Sequence, residues 1–423
     1  MTMTAERAPS PGAANAALDE QVARVGACDI AAVVLTYNNA DTLPDVLAAT
    51  TRGLVERFPG TAAALVAADS GSSDATLDVV AAATLPAVVT THEAPLGERA
   101  AVPFHGVPGR GAGLRAALGV AQRLGARAIV LIEADVVSLT PEWIARLLTP
   151  VWEDKADFVA AAYARHRYDG TITNLLIAPL VRALYGRRVR QPLGGQQALS
   201  GRLVEHLLLH PKWDWGGREL ADVWILGTAI ADGFSVAEAW LGPRIVRSRT
   251  RTSDLPAMVA QTLGGVLAVM DRHHDLWRDV RASEPVPAVG EPRLPGTEPR
   301  EVNVERMVSA FRLGLRDLTP VWEHILAPET LGDVLSLERP NLDDFRFPDD
   351  LWARVVYDFA LGHHYGVIHR EHLLRSLVPL YLGRTAAYVL ATRARDAAAS
   401  EAAADAVASA FERQKPYLVE RWT

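Results

Sequence analysis

The 423-residue sequence is short of cysteine, of net positive charge and of long apolar runs, and each shortage closes a class of function. Cys28 is the only cysteine, so neither an internal disulfide nor a cysteine metal cluster can form. With 43 basic against 50 acidic residues the formal net charge is −7, which argues against a nucleic-acid protein working through a general positive field. No uncharged apolar run reaches the roughly 20 residues of a membrane span. Leu255 to Met270 comes nearest, and it carries Gln261 and a glycine pair. Residues 1–29 are Ala-, Pro- and Ser-rich, with scattered charges and without the apolar core of a signal peptide. The expectation is a cytoplasmic protein with a flexible N-terminal tail over 1–29, no membrane segment and no nucleic-acid partner.

What is present is a series of strand-to-helix units. Ile30 to Leu35 is a continuous β-branched and apolar run, the pattern of a strand covered on both faces in a parallel sheet. It passes through Thr36-Tyr37-Asn-Asn-Ala-Asp41 into a helix with Leu43, Val46 and Leu47 on one face. Ala62 to Ala68 is a second strand, ending in Asp69-Ser-Gly-Ser-Ser-Asp74, where Asp74 can cap the next helix. Ala128 to Ile132 is a third, ending in Glu133-Ala-Asp135, and Thr140-Pro141 then reads as the cap and first residue of a helix. Alternating strands and helices imply a doubly wound α/β sheet. Residues i and i+2 of an extended segment project to one side, so Glu133 and Asp135 can act together at the strand's carboxyl end, the edge where open α/β sheets bind ligands.

Residues 282–301 include five prolines between Ala282 and Pro299 and read as a linker or surface crossing. Residues 302–423 are almost wholly helical in pattern, and Val407, Ala410 and Phe411 at helical spacing mark the last segment as a packed helix. The expected organisation is therefore tail 1–29, catalytic domain 30–281, linker 282–301 and helical domain 302–423.

The motifs "AAVVLTYNNADTL", "VAADSGSSDAT", "GVPGRGAGLRAAL" and "VLIEADV" stand in the order found in GT-A fold glycosyltransferases of the family 2 type, which the chain resembles. The resemblance narrows to mannosylglycerate synthase and the glucosylglycerate synthases through "DFVAAAYARHRYDGTITNLLI", "RQPLGGQQALSGR", "DWGGRELADVWI" and "FRFPDDLWARVVYDFALGHH". It implies a Rossmann-like GT-A nucleotide-sugar-binding domain with a C-terminal helical domain. It also implies transfer of a hexose, with retained configuration, from a GDP- or UDP-sugar to a small hydroxy acid such as D-glycerate.

The resemblance further implies roles. Glu133 and Asp135 stand at the metal-binding DxD motif, with Asp135 the direct ligand of Mg²⁺ or Mn²⁺ and Glu133 touching the sugar or a metal-bound water. Charge builds on a leaving diphosphate, and a hard cation on carboxylate oxygens offsets it. Asp69 matches the acid that hydrogen-bonds the nucleobase, Thr36 and Tyr37 line the base pocket, and Arg110 contacts the diphosphate. Gly194 and Gly195 let the backbone approach the donor sugar. Asp222 matches an acid near the reacting centre, with a helix N-cap as its other reading. Arg165, with Arg167 as the alternative, would fork the acceptor carboxylate, and Thr173 would read its hydroxyl.

One departure bears on the metal. The synthases supply a histidine ligand where this chain has Arg247, and arginine cannot coordinate a metal. Either the metal is held by fewer protein ligands, with water filling in, or Arg247, Arg249 and Arg251 take over part of its work on the diphosphate, and metal dependence is less secure than the resemblance implies. The adjacent pairs His273-His274 and His363-His364 lie on helical patterns and read as surface or core residues. A non-catalytic sugar-nucleotide binder and a transferase for another acceptor stay open as alternatives, as does a homodimer.

Overall fold

The computed structural model describes residues 11–92, 106–211, 213–247, 255–339 and 341–422. The chain divides into two compact units, one of Met1–Asp157, Gly195–Trp213 and Ile245–Ser248, the other of Phe158–Gly194, Asp214–Arg244 and Arg249–Thr423. The ten strands are β1 (Ile30–Thr36), β2 (Ala63–Asp69), β3 (Ala87–Thr91), β4 (Ala128–Glu133), β5 (Phe158–Ala164), β6 (Arg187–Arg188), β7 (Gln197–Ser200), β8 (Val236–Pro243), β9 (Glu284–Pro285) and β10 (Ala288–Val289).

In the first unit the strand order is β7-β4-β1-β2-β3. β1 pairs in parallel with β2 and with β4, β2 pairs in parallel with β3, and β7 runs antiparallel to β4. Strand β1 is at most 5 % exposed at any residue, which is why its sequence is apolar without alternation. The chain leaves β1 toward β2 and β3, then crosses back to place β4 on the other side of β1. That reversal is a topological switch point, where the carboxyl ends of neighbouring strands splay and leave a crevice.

Helices Leu43–Arg57 and Pro141–Trp152 are placed as their start signals require, the second with Thr140 in extended conformation ahead of Pro141. They pack closely at Gly53, where an added Cβ would lie 2.7 Å from Ile144 Cβ and 2.9 Å from the Pro141 carbonyl.

In the second unit β10, β8 and β5 pair in parallel in that order, with a bulge between Ala162 and Tyr163. Around them stand Ala178–Tyr185 and the helices expected of the C-terminal part: Val304–Trp322, Pro328–Ser336, Asp349–His364, Arg370–Ser376, Val378–Thr392 and Ala397–Arg421. Val407, Ala410 and Phe411 are fully buried. His273 bonds the Tyr185 hydroxyl and His364 stacks on Trp422, so both histidine pairs take structural places.

Two expectations are corrected. Pro11–Val25, read as tail, form a helix, because the Gln21 amide exchanges two hydrogen bonds with the backbone of Val89 on edge strand β3. The Pro-rich segment is no free linker: Ala288–Val289 extend the strands of the second unit, and Gly296 exchanges backbone hydrogen bonds with Arg165 and Arg167. Among the described residues no helix is long and apolar enough to cross a membrane.

Gly53→Ala is expected to lower unfolding free energy by about 1–3 kcal/mol through overpacking, against a helix-propensity gain of at most about 1 kcal/mol. Urea denaturation of the variant checks the sign.

Candidate functional site

Register builds the first half of the site. Thr36 lies opposite Asp69 and Leu35 opposite Glu133, so the ends of β2, β1 and β4 finish at one edge of the sheet. Parallel strands stand about 4.8 Å apart, which sets Asp69 and Glu133 on the two sides of β1.

Asp69 is 1 % exposed and holds the turns together. Its Oδ1 accepts from Thr36 Oγ1 at 2.8 Å and Ser72 Oγ at 2.5 Å, and its Oδ2 accepts from the N–H groups of Gly71 at 2.9 Å and Ser72 at 2.7 Å. A carboxylate has about four lone-pair sites. All four are taken within the protein, so Asp69, the acid expected to bind a nucleobase, also orders the loop. The same loop is stitched to the β1 turn: Ser72 Oγ accepts from Asn38 N, Thr76 Oγ1 from Asn39 N and Asp74 Oδ2 from Ala40 N. Asp74 also accepts from Thr76 N at the start of the following helix, but the N-cap itself is Ala75, so the expected cap is one residue out and Asp74 serves the turn ahead of it. Tyr37 is half-buried between these turns and its N–H donates to Asn39 Oδ1.

Glu133 and Asp135 follow β4 where the chain bends away. Thr42 donates to the Ala134 carbonyl at 2.7 Å, fixing the segment to the start of the first helix. Gly195, at φ +87°, lies so close that a Cβ would overlap the Glu133 carboxylate. A glycine is needed there twice over, for the left-handed backbone and for the space. Its neighbour Gly194, in the second unit, is equally tight, with an added Cβ 2.5 Å from the Ala161 carbonyl. Arg247 comes alongside Asp135: its N–H donates to the Asp135 carbonyl at 2.9 Å, Val246 bridges Val136, and the Arg247 side chain is exposed. Arg249 and Arg251 lie outside the described residues.

Arg110 is 7 % exposed and opens the helix Arg110–Arg123, after Gly109 in left-handed conformation. The helix start is seated by a cluster not foreseen in the sequence. Ser70 Oγ donates to the Pro108 carbonyl at 2.7 Å and meets His92 Nε2 at 2.9 Å, and the His92 ring fills the space a Cβ on Gly113 would need. A helix N-terminus with an arginine in its first turn suits a diphosphate.

Among the described residues no cluster of three or more His, Cys, Asp or Glu side chains could hold a metal ion. Two carboxylates do suit Mg²⁺ or Mn²⁺ carried on substrate phosphates, because such ions keep waters and take only one or two protein oxygens.

A further group of predicted residues lies within the other unit. A polar cavity of ≈ 20 Å³ is lined by Arg165, Arg167, Arg190, Gln191, Arg293 and Tyr388, among others. Arg165 lies 5.6 Å from the Tyr163 ring centroid, and its guanidinium occupies the space beside Gly170. Arg167 is turned elsewhere: Nη1 donates to the carbonyls of Thr392 at 2.8 Å and Arg395 at 2.7 Å, and Nη2 to that of Arg393. Its fork is a clamp on the end of a helix and is not free to hold a carboxylate as well. Thr173 is buried and begins a π turn, with its carbonyl accepting from Ala178 N–H. Asp222, 6 % exposed, lies well inside the helix Trp213–Ala231, which removes the capping reading.

Sequence reasoning passed over Arg190, although it precedes the quoted Gln-Pro-Leu-Gly-Gly segment. It forms a bidentate pair with Glu401 at 2.7 and 2.9 Å, and Nη1 donates to Asn174 Oδ1 at 2.8 Å. Its N–H and the Trp240 indole both donate to Glu238, whose carboxyl is nonetheless pushed up from the usual range by burial.

No family model matches the chain. A stretch of 134 residues is 31 % identical to glucosyl-3-phosphoglycerate synthase from Persephonella marina, covering 28 % of this chain and 33 % of that protein. The match thus spans about a third of the relative's length. Among solved structures, glucosyl-3-phosphoglycerate synthase from Mycobacterium tuberculosis with Mn²⁺, UDP and glucosyl-3-phosphoglycerate is 21 % identical, at TM-score 0.41 over 64 % of this chain and 87 % of that one. The same enzyme with Mn²⁺, UDP-glucose and phosphoglyceric acid is 22 % identical at TM-score 0.42, over 64 % and 86 % of the chains. Superpositions this loose transfer no residue roles.

Asp69→Asn is expected to destabilise the first unit by about 1–3 kcal/mol, since one carboxamide oxygen cannot serve four donors and its NH₂ faces two N–H groups. Chemical denaturation measures the loss, and an unchanged midpoint would show the turn to be held otherwise.

Proposed function

We propose that the chain transfers a hexose from a nucleotide-diphosphate sugar, UDP-glucose in the first place, to glyceric acid or a related small hydroxy acid, with retained configuration. The observation that carries this reading is the Glu133–Asp135 pair at the switch-point edge, held against Gly195 with Arg247 alongside. The 31 % identity over 134 residues to a glucosyl-3-phosphoglycerate synthase supports glucose as the hexose and a glycerate-type acceptor.

In this reading Asp135 and Glu133 hold a divalent cation, which when bound offsets the charge of the departing diphosphate. Arg110 with its helix N-terminus, and Arg247, neutralise the phosphates from the protein side. Thr36 and Tyr37 line the nucleobase side, while Asp69 acts indirectly by holding their loop. Gly195 keeps the backbone clear of the sugar. Arg165 forks the acceptor carboxylate, Thr173 reads the acceptor's hydroxyl, and Asp222 orients the attacking hydroxyl. Attack on the face the diphosphate leaves gives retention.

Asp135→Asn is expected to lower turnover at least tenfold, about 1.4 kcal/mol of transition-state stabilisation, with the fold intact. Chelation should reduce turnover, and added Mg²⁺ or Mn²⁺ restore it. Release of nucleoside diphosphate from a panel of donors, crossed with glycerate, 3-phosphoglycerate, lactate and buffer, decides the reading. Binding of donor without release under any condition would identify a sugar-nucleotide-binding protein instead.

Arg165→Lys is expected to raise the acceptor KM while leaving donor affinity unchanged, because only the carboxylate loses its fork. Equal loss of donor affinity would place the acceptor elsewhere.

A further inference from the structure

Gln191 lines the Arg165 cavity and is 4 % exposed. Its Nε2 donates to the Tyr163 carbonyl at 2.8 Å. A carbonyl only accepts, so the amide orientation is fixed with nitrogen toward Tyr163 and Oε1 turned away. That Oε1 is buried with no hydrogen-bond partner in the protein, and so is Arg167 Nε, on a residue 7 % exposed whose Nη atoms are bound to a helix end. Two residues that line the cavity thus each carry a buried polar atom without a partner, an acceptor on Gln191 and a donor on Arg167, at a desolvation cost that a hydrogen-bonding group would relieve.

The rest of the lining explains which group. Arg165, Arg167, Arg190 and Arg293 offer only donors. Each Glu401 oxygen already accepts from Arg190, at 2.7 and 2.9 Å, and Asn174 Oδ1 accepts from Arg190 Nη1 at 2.8 Å, which leaves Gln191 Oε1 as the lining side-chain acceptor that carries no donor. A carboxylate finds partners on the arginines, whereas a hydroxyl hydrogen finds its acceptor at Gln191 Oε1. We propose that Gln191 reads the acceptor's second hydroxyl, the one that is not glycosylated, and so selects dihydroxy over monohydroxy acids. This assignment rests on the acceptor reading of the Arg165 cavity.

A site whose buried polar atom is answered by a substrate hydroxyl rejects the analogue that lacks it. Titration calorimetry of the full-length protein with UDP present, using glycerate and lactate as probes, reads this directly. Wild type is expected to bind glycerate at least about tenfold more tightly than lactate. In Gln191→Met the two affinities should converge to within about twofold with UDP-glucose affinity unchanged, while the melting temperature falls somewhat because the Tyr163 carbonyl loses its donor. If the Met variant does not fold, Gln191→Asn, which draws the amide back by about one C–C bond, is read in the same way. Wild-type affinities that do not differ, or a folded variant that keeps the wild-type ratio, would overturn the role of Gln191 while leaving the acceptor reading in place. Binding of neither acid, together with no transfer to either, would remove the acceptor reading and this assignment with it.

Discussion

The candidate site depends on one constraint, the parallel register of β1 between β2 and β4. Thr36 opposite Asp69 and Leu35 opposite Glu133 bring the loops that follow three strands to the same edge. A slip of one residue would turn every side chain of a strand to the other face. Both faces of β1 are buried, so apolar content alone tolerates such a slip; the polar loop contacts do not. Asp69 with Thr36, Gly71 and Ser72, and Thr42 with the Ala134 carbonyl, lock the register from the end of the sheet. The core supplies the stability of these strands and the loops supply their phase.

The second unit is ordered by arginines of a different kind. Arg182 bonds Asp405 and Glu412, and Arg384 bonds Asp349 while burial depresses its own pKa. Ion pairs taken out of water gain little net stability, since desolvation offsets the attraction, but breaking one strands a charge. They act by penalising wrong arrangements. The helices Asp349–His364 and Ala397–Arg421 thereby have a single docking, which matters because Arg190, at the cavity, takes its partner Glu401 from the last of them.

What was legible in the sequence was local. Continuous apolar runs gave β1, β2 and β4, Pro141 and Thr140 gave a helix start, and the spacing of Val407, Ala410 and Phe411 gave a packed final helix. The acid pair after β4 stood out because carboxylates rarely end a buried strand. The rest was decided at long range. Arg167 meets carbonyls 225 to 228 residues away, a pairing with no local signature, and its two-residue offset from Arg165 suggested a shared role that the bulge at Ala162 and Tyr163 and the chain's turn do not preserve. Asp69 looked like a recognition acid since its sequence setting is the same for a ligand and for a turn. Pro11–Val25 lack a strong apolar stripe, and the Gln21 amide that ties them to Val89 is a single polar residue.

The clamp of Arg167 on Thr392, Arg393 and Arg395 has a bearing on modularity. Together with Glu401 and the proline-rich strand at Gly296, it means that the cavity beside Arg165 is assembled from three stretches of chain that lie far apart in sequence. The helical C-terminus is thus part of the wall of a binding site and not an appendage. A shortened chain ending before residue 300 could keep the register of β1 and its loops, yet it would present this cavity to solvent without a back. Any graft of this cavity into another scaffold would have to carry the final helices along with the loop that bears Arg165.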